Sequence, residues 1–264
     1  MSTPIFAVPI LKSLYQNGYQ VSVVYTQPPQ KSQRGQKINK SPVQCISETL
    51  NLEFRTPVSL KNNKEEYDYL KKLDADLSIV VAYGKLLTKE VLNLTKKGFI
   101  NIHASLLPKW RGAAPIQRAI MNGDKKIGVS IMKIEKKLDS GPSLTSKEIE
   151  LGQNTTHCEM EKKLSLMGAD LLIESLKTVE AGTAKFIDQR HSEATYAKKI
   201  EKSEAKISWH ESAKKIIGKV NGLYPNTGPW FLYNSERYKI IKAEISTDNG
   251  NRGKIKSENF KTGW

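Results

Sequence analysis

Asn101 and His103 stand one residue apart in the run Gly98-Phe-Ile-Asn-Ile-His103. Side chains alternate faces along a strand, so the amide and the imidazole share one face, with Ile100 and Ile102 on the other. Such a pair suits a reaction that builds negative charge on a carbonyl oxygen. The amide can donate a hydrogen bond to the forming oxyanion, and a protonated imidazole can do the same or shuttle a proton. Asp139, in Lys137-Leu-Asp-Ser-Gly-Pro142, would complete the set by orienting the imidazole or taking a proton. The same residues also fit plainer roles. A histidine beside a strand can be a hydrogen-bonded structural group, and an aspartate before Ser-Gly can be a turn former.

No other constellation competes. His157, His191 and His210 lack metal-ligand spacing, so no metal site is expected. A Walker loop, GxGxxG and GxSxG are all missing. Cys45 and Cys158 carry no local nucleophile signature and read as buried structural thiols.

The elements that must position these residues alternate between short buried strands and helices. Ile5–Tyr15 has helical apolar spacing, and Val21–Tyr25 is a short β-branched run. Helices follow at Val43–Leu50 and Glu65–Leu73, and strands at Leu77–Ala82, Phe99–His103, Val129–Met132 and Leu144–Leu151. Thr156 with Glu159 forms a capping-box signature for a long helix closed by Gly182. This alternation predicts an α/β domain with a mostly parallel sheet. Asn101 and His103 then sit toward a strand's C-terminal end, where ligands bind in open α/β sheets. Phe186–Lys202 is polar and aperiodic, as expected of a surface linker. A helix at Ser212–Asn221 and strands at Phe231–Tyr233 and Tyr238–Ala243 give the rest the texture of a small β-rich module. The predicted division is 1–185, a linker at 186–206, and 207–264.

Charge adds a partner class. The chain of 264 residues carries a formal +15, which fits a polyanionic partner such as nucleic acid and equally a plain solvated basic surface. Residues 195–264 hold 14 Lys/Arg against 7 Asp/Glu, while residues 1–194 hold 28 against 20. Gln27–Ser47 has no acidic residue and contains Lys31, Arg34, Lys37 and Lys40 among Pro, Gly, Gln and Ser, the composition of a long exposed loop. A hydrophobic content of 38% suffices for a core and argues against disorder. No apolar run is long enough to span a bilayer, and no secretory leader is visible. Two cysteines cannot build a disulfide framework, so a reduced cytoplasmic setting is expected.

The Asn101-Ile-His103 pair, the run Ser105-Leu-Leu-Pro-Lys-Trp-Arg-Gly-Ala-Ala-Pro-Ile-Gln117 and Leu138-Asp-Ser-Gly141 resemble the folate-dependent formyltransferases. The Trp110–Gln117 stretch, with Thr195-Tyr-Ala-Lys-Lys-Ile200 and Ala205-Lys-Ile-Ser-Trp209, resembles the members that act on a charged tRNA. The resemblance covers nearly the whole chain. It implies a Rossmann-like catalytic domain and a smaller OB-like β-barrel. It implies 10-formyltetrahydrofolate as a consumed co-substrate, with no permanently bound cofactor, and methionyl initiator tRNA as acceptor. Asn101, His103 and Asp139 match the family's catalytic trio, and Ser105, Leu106, Leu107 and Pro108 its folate-binding stretch. Arg34 and Lys37 match an insertion that approaches the tRNA acceptor end. A monomer is expected. Rival readings are a formyltransferase with a small acceptor, such as a sugar nucleotide, and a non-catalytic RNA-binding protein on the same scaffold.

Two departures stand out. The family's first strand, which precedes the position of Ser2, is missing, and the barrel is incomplete at Trp264. The missing strand therefore predicts a fragment that starts at an internal methionine, with two strands facing a gap.

Overall fold

The computed structural model describes residues 1–32, 37–225 and 227–245. A short 3-10 turn, Ile5–Ala7, leads into α1 (Val8–Gln16), with a proline in its first turn where no N–H is missed. Strand β1 (Val24–Tyr25) follows, then β2 (Gln30–Ser32) and β3 (Lys37–Asn39). Helix α2 (Pro42–Thr49) opens on Ser41, whose hydroxyl accepts from the Gln44 N–H. Strand β4 (Phe54–Arg55) precedes α3 (Lys64–Lys72). That helix is capped by Asn63, with Glu65 and Glu66 in its first turn and Lys71 and Lys72 in its last, each matching the helix dipole. Strand β5 (Ser78–Val80) and α4 (Lys89–Leu92) lead to β6 (Phe99–His103). Then come β7 (Arg111–Gly112), α5 (Pro115–Asn122), β8 (Lys126–Lys133) and β9 (Ser143–Glu150). The long α6 (His157–Glu180) begins with the capping box of Thr156 and Glu159. Strand β10 (Tyr196–Ala197), α7 (Ala213–Leu223) and the pair β11 (Trp230–Tyr233) and β12 (Glu236–Lys239) complete the described chain.

The central sheet runs β5-β6-β8-β9, and β1 pairs with β4 beside it. The pairings β1–β4 and β5–β6 are parallel, while β6–β8 and β8–β9 are antiparallel. The expected parallel pairings are present, and the β8 and β9 side of the sheet adds antiparallel ones. The loop between β8 and β9 is too short for a parallel crossover, which needs a dozen or more residues. Ile100, Ile102, Val129 and Ile131 pack against Ile10 of α1 and Leu164 and Leu172 of α6 in one core. A second cluster joins Tyr25, Leu60, Leu70, Val80 and Phe99 on the other side.

The expected gap is partly closed. Ser2 bridges Val81 in parallel, and the Ser2 N–H donates to Tyr25 O at 2.8 Å. The Val81 N–H donates to Met1 O at 3.0 Å, and the Met1 ammonium to Ile79 O at 2.7 Å. Two residues therefore tie β1 to β5. Beyond them lies a slot of about 840 Å³, walled by Val21, Val23, Leu77 and Ile79 and floored by Ile10, Leu14 and Leu176.

Two expectations are corrected, and a third falls largely outside the described residues. The basic stretch at 27–47 is not one loop: β2 and β3 form an antiparallel pair within it, and α2 starts at Pro42. Backbone pairing there needs no apolar alternation, so the sequence carried no strand signal. Cys45 and Cys158 are exposed, because each lies off the buried stripe of its helix. Within the described residues, the C-terminal module shows a two-stranded β11–β12 hairpin and a Lys206–Trp230 bridge, and the barrel expected beyond it falls on 246–264, outside them.

The C-terminal module is held by α7 against α5. A Cβ on Gly218 would lie 3.0 Å from Met121 O, and one on Gly222 would lie 3.0 Å from Gln117 O. Glycine at both positions is what lets the two backbones approach.

Candidate active site

Strand β6 presents Asn101 and His103 from one face, as the alternation required. The loop after β8 folds back over that face and delivers Asp139. Its carboxylate is shared three ways. Oδ2 accepts the Gly112 N–H at 2.8 Å and lies 3.7 Å from His103 Nδ1, and Oδ1 lies 3.5 Å from Asn101 Nδ2. His103 is buried, and Asp139 keeps a side-chain exposure of 15%. The structure therefore brings the three predicted residues together.

The histidine's orientation follows from its other nitrogen. Nε2 lies 2.9 Å from the Trp110 carbonyl oxygen, which can only accept. Nε2 thus carries a proton, and Nδ1 is the nitrogen left to exchange one. The arrangement can stabilise a negative oxygen through Asn101 Nδ2 and the Nδ1 side of His103, and can pass a proton at Asp139.

Ser105, Leu106, Leu107 and Pro108 form a tight turn at the end of β6. The Ser105 hydroxyl donates to Lys109 O at 2.6 Å and is fully buried, so it is already engaged. Ser130 pins the turn, donating to Ser105 O at 2.7 Å and accepting the Leu107 N–H at 3.1 Å. Arg34 lies outside the described residues, and Lys37 starts β3 opposite Ser32.

Beside the β1–β4 pair, Tyr25 donates to Glu66 at 2.6 Å, and Arg55 Nε donates to the same carboxylate at 2.8 Å. Burial and this carboxylate push the Tyr25 phenol up, and the same carboxylate raises the Arg55 guanidinium. Burial also pushes the Tyr83 phenol up to about 12. At the start of α6, burial lowers the pKa of His157. No cluster of three potential metal ligands exists among the described residues, and no described helix is long and apolar enough to cross a membrane.

Sequence reasoning missed two neighbours of the trio. Gly112 supplies a backbone N–H to Asp139, a role no side chain announces. Gln189, from the stretch read as a surface linker, reaches the Asp139 loop. Its only signal was a lone amide in a polar segment.

This fold and site define a class. The formyl transferase family model matches residues 1–176, and the formyl transferase C-terminal domain model matches 199–262. The chain belongs to the formyl transferase family. Two of its relatives carry one particular name. The methionyl-tRNA formyltransferase of Pelagibacter ubique is 55% identical over 98% of this chain and 84% of its own length. That of Jannaschia sp. is 43% identical over 97% and 84%. Among solved structures, the sugar 3N-formyl transferase WlaRD superposes with a TM-score of 0.70 at 17% identity, covering 94% of this chain and 85% of its own. HypX from Aquifex aeolicus, in complex with tetrahydrofolic acid, gives 0.64 at 16% identity, covering 89% and 40%. At such identities these two share the fold.

Proposed function

We propose that this chain transfers a formyl group from 10-formyltetrahydrofolate to the α-amine of methionyl initiator tRNA. The convergence of Asn101, His103 and Asp139, with the His103 Nε2 proton pinned by Trp110 O, carries the reading. The amine attacks the formyl carbon. Asn101 Nδ2 and His103 Nδ1, the ring nitrogen that Trp110 O leaves open, donate to the oxygen as it becomes an oxyanion. Asp139 accepts the proton that the amine sheds. The carbon–nitrogen bond to the folate then breaks, and the proton returns to the departing nitrogen. No metal enters these steps. The names of the relatives support the acceptor, and the neighbour that holds tetrahydrofolic acid supports the donor class.

The Ser105–Pro108 turn shapes the folate site as a rigid edge rather than through the Ser105 hydroxyl, which is occupied. Arg34, Lys37 and the basic C-terminal module neutralise tRNA phosphates, a term that weakens with salt. The chain acts as a monomer in the cytoplasm. It divides into a catalytic domain at 1–185, a linker at 186–206 and a tRNA-binding module at 207–264. The test is formyl transfer from 10-formyltetrahydrofolate, run in parallel on methionyl-tRNA and on an amino-sugar nucleotide. Transfer to the tRNA amine is expected. Transfer confined to the sugar would overturn the reading.

A further inference from the structure

Asp139 is held in a backbone conformation that a non-glycine residue seldom adopts, with φ at +47°. Such a conformation persists only where its surroundings impose it. Those surroundings are specific. The Gln189 amide nitrogen donates to Asp139 O at 3.0 Å and to Gly141 O at 2.7 Å, gripping the loop on both sides of its turn. Gln189 Oε1 in turn accepts from Arg111 Nε at 3.1 Å and Nη2 at 2.6 Å. Arg111 is buried and has no carboxylate partner among the described residues; its Nη2 also meets His191 Nδ1 at 3.0 Å. The residue after Arg111 is Gly112, whose N–H grips the Asp139 carboxylate. One chain of hydrogen bonds therefore fixes the peptide of Asp139 from outside and its carboxylate from inside. Ile187 exchanges both backbone hydrogen bonds with Ser143, which anchors the segment carrying Gln189 beside β9.

We propose that Gln189, backed by Arg111, is a positioning residue for the formyl-transfer reaction. It sets the direction of the Asp139 carboxylate toward His103 and Asn101. This rests on the catalytic role of Asp139 proposed above. Gln189 touches neither the trio's side chains nor the reacting atoms; it acts through the loop.

The discriminating substitution is Gln189→Glu. It keeps size and keeps Arg111 paired, so the fold is preserved. It also replaces the only donor facing two carbonyl oxygens with an acceptor, which turns the loop away. A misplacement of about 1 Å costs on the order of a hundredfold in rate. Turnover in Gln189→Glu should fall by roughly ten- to a hundredfold with the folate KM and melting temperature nearly unchanged. Gln189→Ala should lose turnover likewise, together with some stability. Asp139→Asn and the double variant Asp139→Asn/Gln189→Glu complete a cycle. If Gln189 acts through Asp139, the double variant should be no slower than Asp139→Asn alone. Losses that multiply, or full turnover in both Gln189 variants while Asp139→Asn is slow, would overturn the inference. Full turnover in Asp139→Asn would instead sink the role of Asp139 itself.

Discussion

The amino group of Met1 sits where charge is costly. It lies at the mouth of the slot, bonded to Ile79 O, and burial lowers its pKa from 8.0 to about 5. Above pH 8 the amine is neutral in folded and unfolded chains alike. Between pH 8 and about 5 the unfolded chain takes up a proton that the folded chain refuses, so stability falls as the pH falls. Below about pH 5 both states are protonated and the loss is complete. At 1.36 kcal/mol per pH unit, that interval is worth on the order of 4 kcal/mol, a large part of the roughly 5–15 kcal/mol that holds a domain together. The perturbation is an apolar strand-forming segment of about five to seven residues placed before Met1, an ordinary strand length. It turns the amine into a peptide N–H that still donates to Ile79 O but has no proton to titrate. It also fills the slot between Val23 and Ile79. Urea unfolding of both proteins from roughly pH 5.5 to 8.5 separates the two effects. The extended variant should be more stable throughout and should lose less on acidification. His157, whose pKa burial also lowers, contributes equally to both and cancels. Equal pH slopes would refute the argument about the amine. Equal midpoints at the alkaline end, where the amine is neutral, would refute strand pairing in the slot.

Asp139→Asn should leave folate binding intact and slow formyl transfer at least roughly a hundredfold; single-turnover kinetics give the answer, and near-normal rates would remove Asp139 from the chemistry. Asn101→Ala should slow the chemical step by a similar factor, whereas a raised folate KM with unchanged turnover would make it a binding residue. Replacing Arg34 and Lys37 together with Ala should raise the tRNA KM and flatten its salt dependence without changing folate affinity; an unaltered salt slope would mean that these cations do not meet phosphate. Gly222→Leu should lower the melting temperature, since its side chain would run into Gln117 O and Met121; an unchanged melt would show that α5 and α7 separate freely.

What was legible in the sequence was what depends on local pattern. Strand β6 runs over Phe99–His103 as read, because five alternating residues after a glycine leave little choice. The capping box of Thr156 and Glu159 fixed the start of α6 just as directly. Strand β1 is shorter than the apolar run Val21–Tyr25, because within that run only Val24 and Tyr25 find ladder partners among the described residues, on β4. Apolar content reports burial; only pairing makes a strand. The trio was found because its members carry distinctive side chains. Gly112 was not, because a backbone N–H has no letter of its own. Gln189 was hidden by distance: its partners at Arg111 and Asp139 are brought to it only by the fold.

The close contact of α7 on α5 has a consequence for how a large acceptor could be measured. Arg118 of α5 also grips the carbonyls of Lys198 and Lys199 and the carboxylate of Glu204, holding that carboxylate below its ordinary range. The segment leading into the C-terminal module and, through α7, the module itself are thus both braced against the very helix that follows the Trp110–Gly112 segment of the site. The module's distance from Asp139 is then a property of the fold rather than of a tether. In the reaction proposed here the molecule would act as a calliper with one setting: an acceptor whose reactive amine lay too near or too far from the phosphates gripped by the module would fail by length, whatever its chemistry.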